Sequence, residues 1–257
     1  SYRPMNALLE KLLHTHPDFK VSLSITGTFI EQAQEWTPDV IESFQRLVHT
    51  GRVEIVAETY YHSLAFFYSR HEFERQVEAH RAKIQELFGV TPQVFRNTEL
   101  AYNNELAQWA DRAGYKGILA EGWDPVLGWR SPNYVYRPPE TNTIGLLLKN
   151  YRLSDDLAFR FSNRAWQQWP LTADTYSEWA NAALDEAPLI NLFMDYETFG
   201  EHQWADTGIF DFFESFVGKW LGRGDTTFYT VSEAIEAHEP RGELSMPHTV
   251  TWADTER

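Results

Sequence analysis

Val94-Phe95-Arg96-Asn97-Thr98-Glu99-Leu100-Ala101-Tyr102 is the stretch that decides how this chain folds. Its apolar start predicts a short buried strand over residues 93–97, and a carboxylate follows directly at Glu99. Upstream, Ser69 and Glu72 have capping-box spacing before a helix with Phe73, Val77, Ile84 and Leu87 as its apolar positions, closed by Gly89. Before that helix, Val53-Glu54-Ile55-Val56-Ala57 reads as another strand. Strand, helix and strand in that order form a βαβ unit, which implies parallel pairing.

The pattern continues in both directions. Strands are predicted at 19–25, 117–120, 144–148, 189–194 and 227–231. Further helices are predicted after Thr37-Pro38, from Asn104 to Gly114 and from Ile209 to Trp220. The second informative stretch is Leu189-Ile190-Asn191-Leu192-Phe193-Met194-Asp195-Tyr196-Glu197, where an apolar run again ends on an acidic residue. In α/β barrels the C-terminal ends of strands carry the catalytic groups. Glu99 and Asp195 therefore suit a pair of carboxylates for glycoside cleavage. The same placement also suits residues that only cap the next helix.

Bulk properties narrow the function. The 257 residues, 43% hydrophobic and 15% aromatic, suffice for one α/β barrel domain across 1–257. A net charge of −15 argues against nucleic acid as a partner. With no cysteine, disulfide scaffolds and thiolate metal sites are excluded. No apolar stretch approaches the roughly 20 residues that span a bilayer. No signal peptide is visible either, which points to the cytoplasm, although Ser1 opens the sequence without a methionine.

Residues 122–142 form a long aperiodic segment with four prolines, Trp123, Trp129, Tyr134 and Tyr136. Its aromatic rings suit either the faces of sugar rings or packing on the barrel rim as a lid. Among the histidines, His14 and His16 read as solvent-facing and His71 and His80 as surface or packing residues. His62, after two tyrosines at a strand end, reads as a substrate contact. Asp155-Asp156 reads as a turn or cap, without the spacing of a calcium loop.

Several blocks together resemble glycoside hydrolase family 57, and within it the α-amylases. They are Gly51-Arg52-Val53-Glu54-Ile55-Val56, Thr59-Tyr60-Tyr61-His62, Arg96-Asn97-Thr98-Glu99, Met194-Asp195-Tyr196-Glu197-Thr198-Phe199-Gly200-Glu201-His202 and Trp252-Ala253-Asp254-Thr255-Glu256-Arg257. Gly128-Trp129-Arg130-Ser131-Pro132-Asn133-Tyr134 is similar to the amylases as well. The resemblance implies an incomplete barrel of seven strand–helix units and a retaining enzyme acting on α-1,4-linked glucans or maltooligosaccharides, by hydrolysis or by glucan transfer. It implies Glu99 as nucleophile and Asp195 as general acid/base. Glu54, His62, Trp129, Arg130, Glu197, His202, Trp252 and Asp254 fall in blocks that line the cleft, and neither cofactor nor metal is implied. The family's first block, a His-Gln-Pro strand, is absent, and the sequence stops inside the last block. The resemblance therefore implies a chain trimmed at both ends. A metal-dependent polysaccharide deacetylase has a similar barrel but uses a His-Ser-x-x-x-His motif. Here Phe67 stands where its second histidine would be. A sugar-binding protein without catalysis is the third class weighed.

Overall fold

The computed structural model of the chain describes residues 1–184 and 187–254. In chain order the elements are α1 (Tyr2–Thr15), β1 (Val21–Ser24), α2 (Gly27–Trp36), α3 (Pro38–His49), β2 (Val53–Val56), α4 (Arg70–Phe88) and β3 (Val94–Arg96). They continue with α5 (Asn104–Arg112), β4 (Gly117–Glu121), α6 (Asp124–Leu127), β5 (Gly145–Lys149), α7 (Tyr151–Asp155), α8 (Ala173–Ala183), α9 (Ile209–Gly222) and α10 (Val231–Ala237).

The local rules explain most boundaries. α3 starts with Pro38 in its first turn and buries Val40, Ile41, Phe44, Leu47 and Val48, one apolar stripe at helical spacing. α4 starts where the Ser69 hydroxyl accepts the Glu72 N–H, only half of the expected box, because the Glu72 carboxylate turns instead to Arg75 and Gln76. It stops at Gly89, which takes the left-handed conformation a C-terminal cap needs (φ 69°).

The strands β1 to β5 pair with one another in parallel. β1 pairs with β2 in register Val21 to Val53, and β3, β4 and β5 form a second sheet in that order. One bridge joins the two sheets: the Ala57 N–H donates to Val94 O and the Arg96 N–H to Ala57 O, both at 2.8 Å. The α/β class with a parallel sheet is as the sequence predicts, while five strands are paired among the described residues rather than seven. The two remaining predicted strands, 189–194 and 227–231, meet the sheet edges through one main-chain bond and otherwise through side chains. Asn150 N–H donates to Asn191 O at 2.8 Å, and the Asn191 amide returns a bond to Leu148 O at 3.0 Å. On the other edge the Val231 N–H bonds the Ser22 hydroxyl and the Ser232 N–H bonds Glu54. A ladder needs alternating main-chain partners, and one main-chain bond among side-chain bonds does not form one.

The core has two main parts. The larger lies where α1, α3, α8 and α9 cover β1 and β2, with Leu9, Leu47, Ile55 and Tyr176 fully buried. The other packs α4 and α5 on β3 to β5. There Phe73 meets Phe95 edge-on at 5.8 Å and Trp109 at 4.5 Å. Such aromatic contacts add about 0.5–1.5 kcal/mol each beyond the buried area, and they fix the strand that leads to Glu99. The 122–142 segment divides. Trp123 and Tyr134 pack against the core and Tyr136 pairs with Leu146, while Trp129 stays 91% exposed.

Candidate active site

β3 ends at Arg96, and a single 3-10 turn, Thr98–Leu100, presents Glu99. The turn is pinned by the Asn97 side-chain amide, which donates to Ala101 O at 2.9 Å. Glu99 offers one oxygen to each of two neighbours. Nε2 of His62 lies 3.3 Å from Oε1, and the Trp252 indole N–H donates to Oε2 at 2.7 Å. The main chain adds a bond from Trp252 N–H to Glu99 O at 3.2 Å. Glu99 remains 43% exposed at its side chain, so its carboxylate is oriented by protein yet open to an incoming molecule. Glu99 (φ 58°), Leu100 (φ 50°) and His62 (φ 52°) all sit in the left-handed region. Non-glycine residues held there cost about 1–3 kcal/mol each and concentrate at functional sites.

His62 reaches Glu99 from the segment that follows β2 and the Ala57 bridge. Its other ring nitrogen, Nδ1, is 3.6 Å from Oε2 of Glu58, an ion-pair separation rather than a hydrogen bond. Glu58 is completely buried and also takes a 3.1 Å bond from the Arg96 guanidinium. Burial opposes its ionisation, but His62, Arg96 and His80 together outweigh that and hold its pKa below the ordinary value. His62 is raised in turn, first by Glu58, against the opposing effects of burial and Arg96. Arg96 thus turns to Glu58, with its charge centre 5.3 Å from both the Trp252 and Phe193 rings. His80 proves to be a core residue, its Nε2 at 2.7 Å from Ile25 O, and burial lowers its pKa. Glu58 is not singled out by the sequence, because it falls between the block that ends at Val56 and the one that starts at Thr59.

Asp195 stands at the end of the extended 189–194 segment, just before the 3-10 turn Tyr196–Thr198. It is open to solvent on one side and crowded by protein on the others. That crowding raises its pKa first, and the charges of Glu197 and Glu99 push the same way against Arg96 and His202. Glu197 accepts a bond from the Tyr2 hydroxyl at 3.2 Å. The turn back to His202 is closed by its N–H bond to Glu197 O at 2.9 Å. Asp195, Glu197 and His202 are therefore one local group whose charges reach Glu99 and Arg96.

Trp252 joins the two halves. Its ring lies 6.0 Å from Phe193 and 5.4 Å from the Lys149 ammonium. Lys149, the last residue of β5, is buried with Asp155 at 3.3 Å and Glu121 at 3.8 Å. Asp155 thus serves a buried ion cluster rather than a cap, and Asp156 pairs with Arg160 at 2.7 Å. Asp254 folds back to accept the Thr251 N–H at 2.6 Å. No described hydrogen bond or ion pair ties Glu54, Trp129 or Arg130 to Glu99 or Asp195. The Glu54 carboxylate instead holds the Ser22 hydroxyl and the Ser232 N–H, both at 3.1 Å. Arg130 lies 5.6 Å from the Trp129 ring. Thr255, Glu256 and Arg257 of the last block lie outside the described residues. Among the described residues no group of three or more histidine, aspartate or glutamate side chains is placed to hold a metal ion. No described helix is long and apolar enough to cross a membrane.

Comparison with known proteins gives this geometry a family. The sequence profile of Glycosyl hydrolase family 57 matches residues 1–247. A protein of Methanocaldococcus jannaschii, provisionally named an alpha-amylase, is 49% identical over 100% of this chain, which spans 54% of that protein's length. In structure the chain superposes on the 4-alpha-glucanotransferase of Thermococcus litoralis with a TM-score of 0.79, at 20% identity over 98% of this chain and 38% of that one. It superposes on the family 57 branching enzyme of Pyrococcus horikoshii with a TM-score of 0.78, at 15% identity over 98% of this chain and 67% of that one. Those identities speak for the fold, and the profile and the Methanocaldococcus relative speak for kinship: this chain belongs to glycosyl hydrolase family 57.

Proposed function

We propose that the chain is the catalytic region of a retaining α-glucan hydrolase of the α-amylase type, cleaving α-1,4 bonds in starch-like glucans or maltodextrins. Glu99 is the nucleophile and Asp195 the general acid/base. The observation that carries this reading is the contrast between the two carboxyl groups. Glu99 has a donor on each oxygen and one open side. Asp195 is pushed toward its protonated form by crowding and by Glu197. Two carboxyl groups in opposite environments are how one site holds a base and an acid at the same pH.

In the first step Glu99 attacks the anomeric carbon while Asp195 protonates the leaving glycosidic oxygen, so the glycosyl–oxygen bond breaks as the glycosyl–enzyme ester forms. Asp195, now ionised, takes a proton from water, which displaces Glu99 and completes retention. The Trp252 indole N–H and the His62 imidazole fix the plane of the Glu99 carboxylate for the attack. Trp129, standing nine-tenths exposed on the long loop beside Arg130, offers a flat face for a glucose ring away from the cleaved bond.

The test is incubation with maltoheptaose, resolving products by length over time, beside the Glu99→Gln variant. Shorter sugars only, and none from the variant, are the expected result. Products longer than seven units would identify glucan transfer through the same intermediate, and turnover that survives Glu99→Gln would remove Glu99 from the mechanism.

A further inference from the structure

The structure assigns Glu58 a role in this site that the family blocks leave blank: it is a positioning residue that holds His62 as a cation between two carboxylates. The inference rests on the reading of Glu99 as the nucleophile. Glu58 lies just past the Ala57 bridge and Arg96 just before Glu99, so both arms of the cluster start from the one point where the two sheets join. From there Glu58 Oε2 faces His62 Nδ1 at 3.6 Å and Arg96 Nη1 at 3.1 Å, while His62 Nε2 faces Glu99 Oε1 at 3.3 Å.

Three facts favour a device over incidental packing. A fully buried carboxylate is costly unless its charge is answered, and here the Arg96 guanidinium and the His62 ring both face its Oε2. The imidazole has an acid on each nitrogen, which suits the doubly protonated ring, since only that form presents an N–H to both sides. His62 is also kept at φ 52° although a left-handed backbone disfavours it, so the surrounding contacts outweigh a local cost. Arg96 alone would neutralise Glu58. Its guanidinium opposes a positive charge on His62, and Glu58 lies between the two. The charged groups facing His62 are thus Glu58, Arg96 and Glu99, and Glu58 decides the sign.

The consequence is orientation. With its ring fixed from behind, His62 keeps the N–H aimed at Oε1 while Trp252 holds Oε2. Without Glu58 the ring is free to turn, and Glu99 loses one of its two guides. Misplacement of a reacting group by about 1 Å costs on the order of 100-fold in rate.

The experiment is a pH titration of the histidine ring nitrogens by long-range nitrogen–proton NMR in the 257-residue chain, with His62 assigned through His62→Asn. In the wild type His62 is expected to titrate above the 6.5 of an ordinary imidazole, with both nitrogens protonated below that midpoint. Titration at or below 6.5 overturns the proposal without any further variant. In Glu58→Gln the His62 midpoint is expected to fall toward 6.5 and that of His80 to fall with it, while histidines remote from Glu58 stay fixed. On maltoheptaose the same variant should lose about 10- to 100-fold in kcat with KM within about twofold. A folded Glu58→Gln chain with an unmoved His62 overturns the proposal. Because the titration needs no turnover, its outcome is separate from the Glu99→Gln test of the nucleophile.

Discussion

Replacing Lys149 with methionine isolates the contribution of a single buried ammonium, since the thioether stem keeps most of the packing. Lys149 is 6% exposed at its side chain, with Asp155 (10% exposed) at 3.3 Å and Glu121 (0% exposed) at 3.8 Å. At an effective dielectric constant of about 20, each attraction is roughly 4–5 kcal/mol before desolvation is subtracted. Desolvation of the ammonium cancels much of that sum. The loss on removing one partner of a buried ion pair is about 3–5 kcal/mol, because the remaining charge stays behind. For a chain of this size each kcal/mol shifts the melting temperature by about 2–4 °C. Lys149→Met is therefore expected to melt about 6–20 °C lower at pH 7 by calorimetry. Adding Glu121→Gln removes one of the two carboxylate charges that face the lost ammonium while keeping an acceptor for the Gly122 N–H, so the double variant should regain part of the loss. A single variant within 2 °C of wild type would show that the ammonium gives no net compensation. A double variant no more stable than the single would show that packing, not charge, carries the effect.

Trp252→Phe keeps an aromatic ring near Arg96 and Lys149 but removes the indole donor to Glu99. A hydrogen bond to a charged group contributes about 1.5–3 kcal/mol, so kcat/KM on maltoheptaose is expected to fall about 10- to 150-fold. A change below threefold would refute the role given to that bond. Glu197→Gln tests the environment of Asp195. Removing a negative charge that raises the Asp195 pKa lets Asp195 ionise at lower pH. The alkaline limb of the activity profile, which requires Asp195 protonated, is then expected to move to lower pH. An unmoved or alkaline-shifted limb contradicts the assignment of Asp195 as the acid.

Much of this molecule can be read from the order of its residues, and the exceptions have definite causes. β2 to β5 are apolar runs with turn residues at their ends, and the bonds that hold them are main-chain bonds, so pattern and structure agree. Residues 189–194 look the same in sequence, yet beside a single main-chain bond from Asn150 their partner bonds come from the Asn191 and Ser154 side chains. A hydropathy pattern cannot distinguish a strand from an extended segment held that way. Residues 227–231 fail for a related reason. Thr230 and Glu233 form a full capping box, and Val231 begins a helix where its β-branched neighbourhood predicts a strand. In the site, Glu99, His62, Trp252, Glu197 and His202 were marked by their blocks. Glu58 and Lys149 were not, because a buried charge is recognised by its partners, which come from distant parts of the chain.

The left-handed backbone at His62 and Glu99 sets the interests of the site against those of the fold. Glycine adopts that conformation at no steric cost, so His62→Gly and Glu99→Gly relieve strain that the native side chains maintain. At His62 that relief is set against the buried Glu58, which would lose one of the two groups facing it, and at Glu99 against the contacts with His62 and Trp252. Two strained, mutually touching residues are thus held by the charged and aromatic groups around them, and each removal trades a backbone gain against a lost contact.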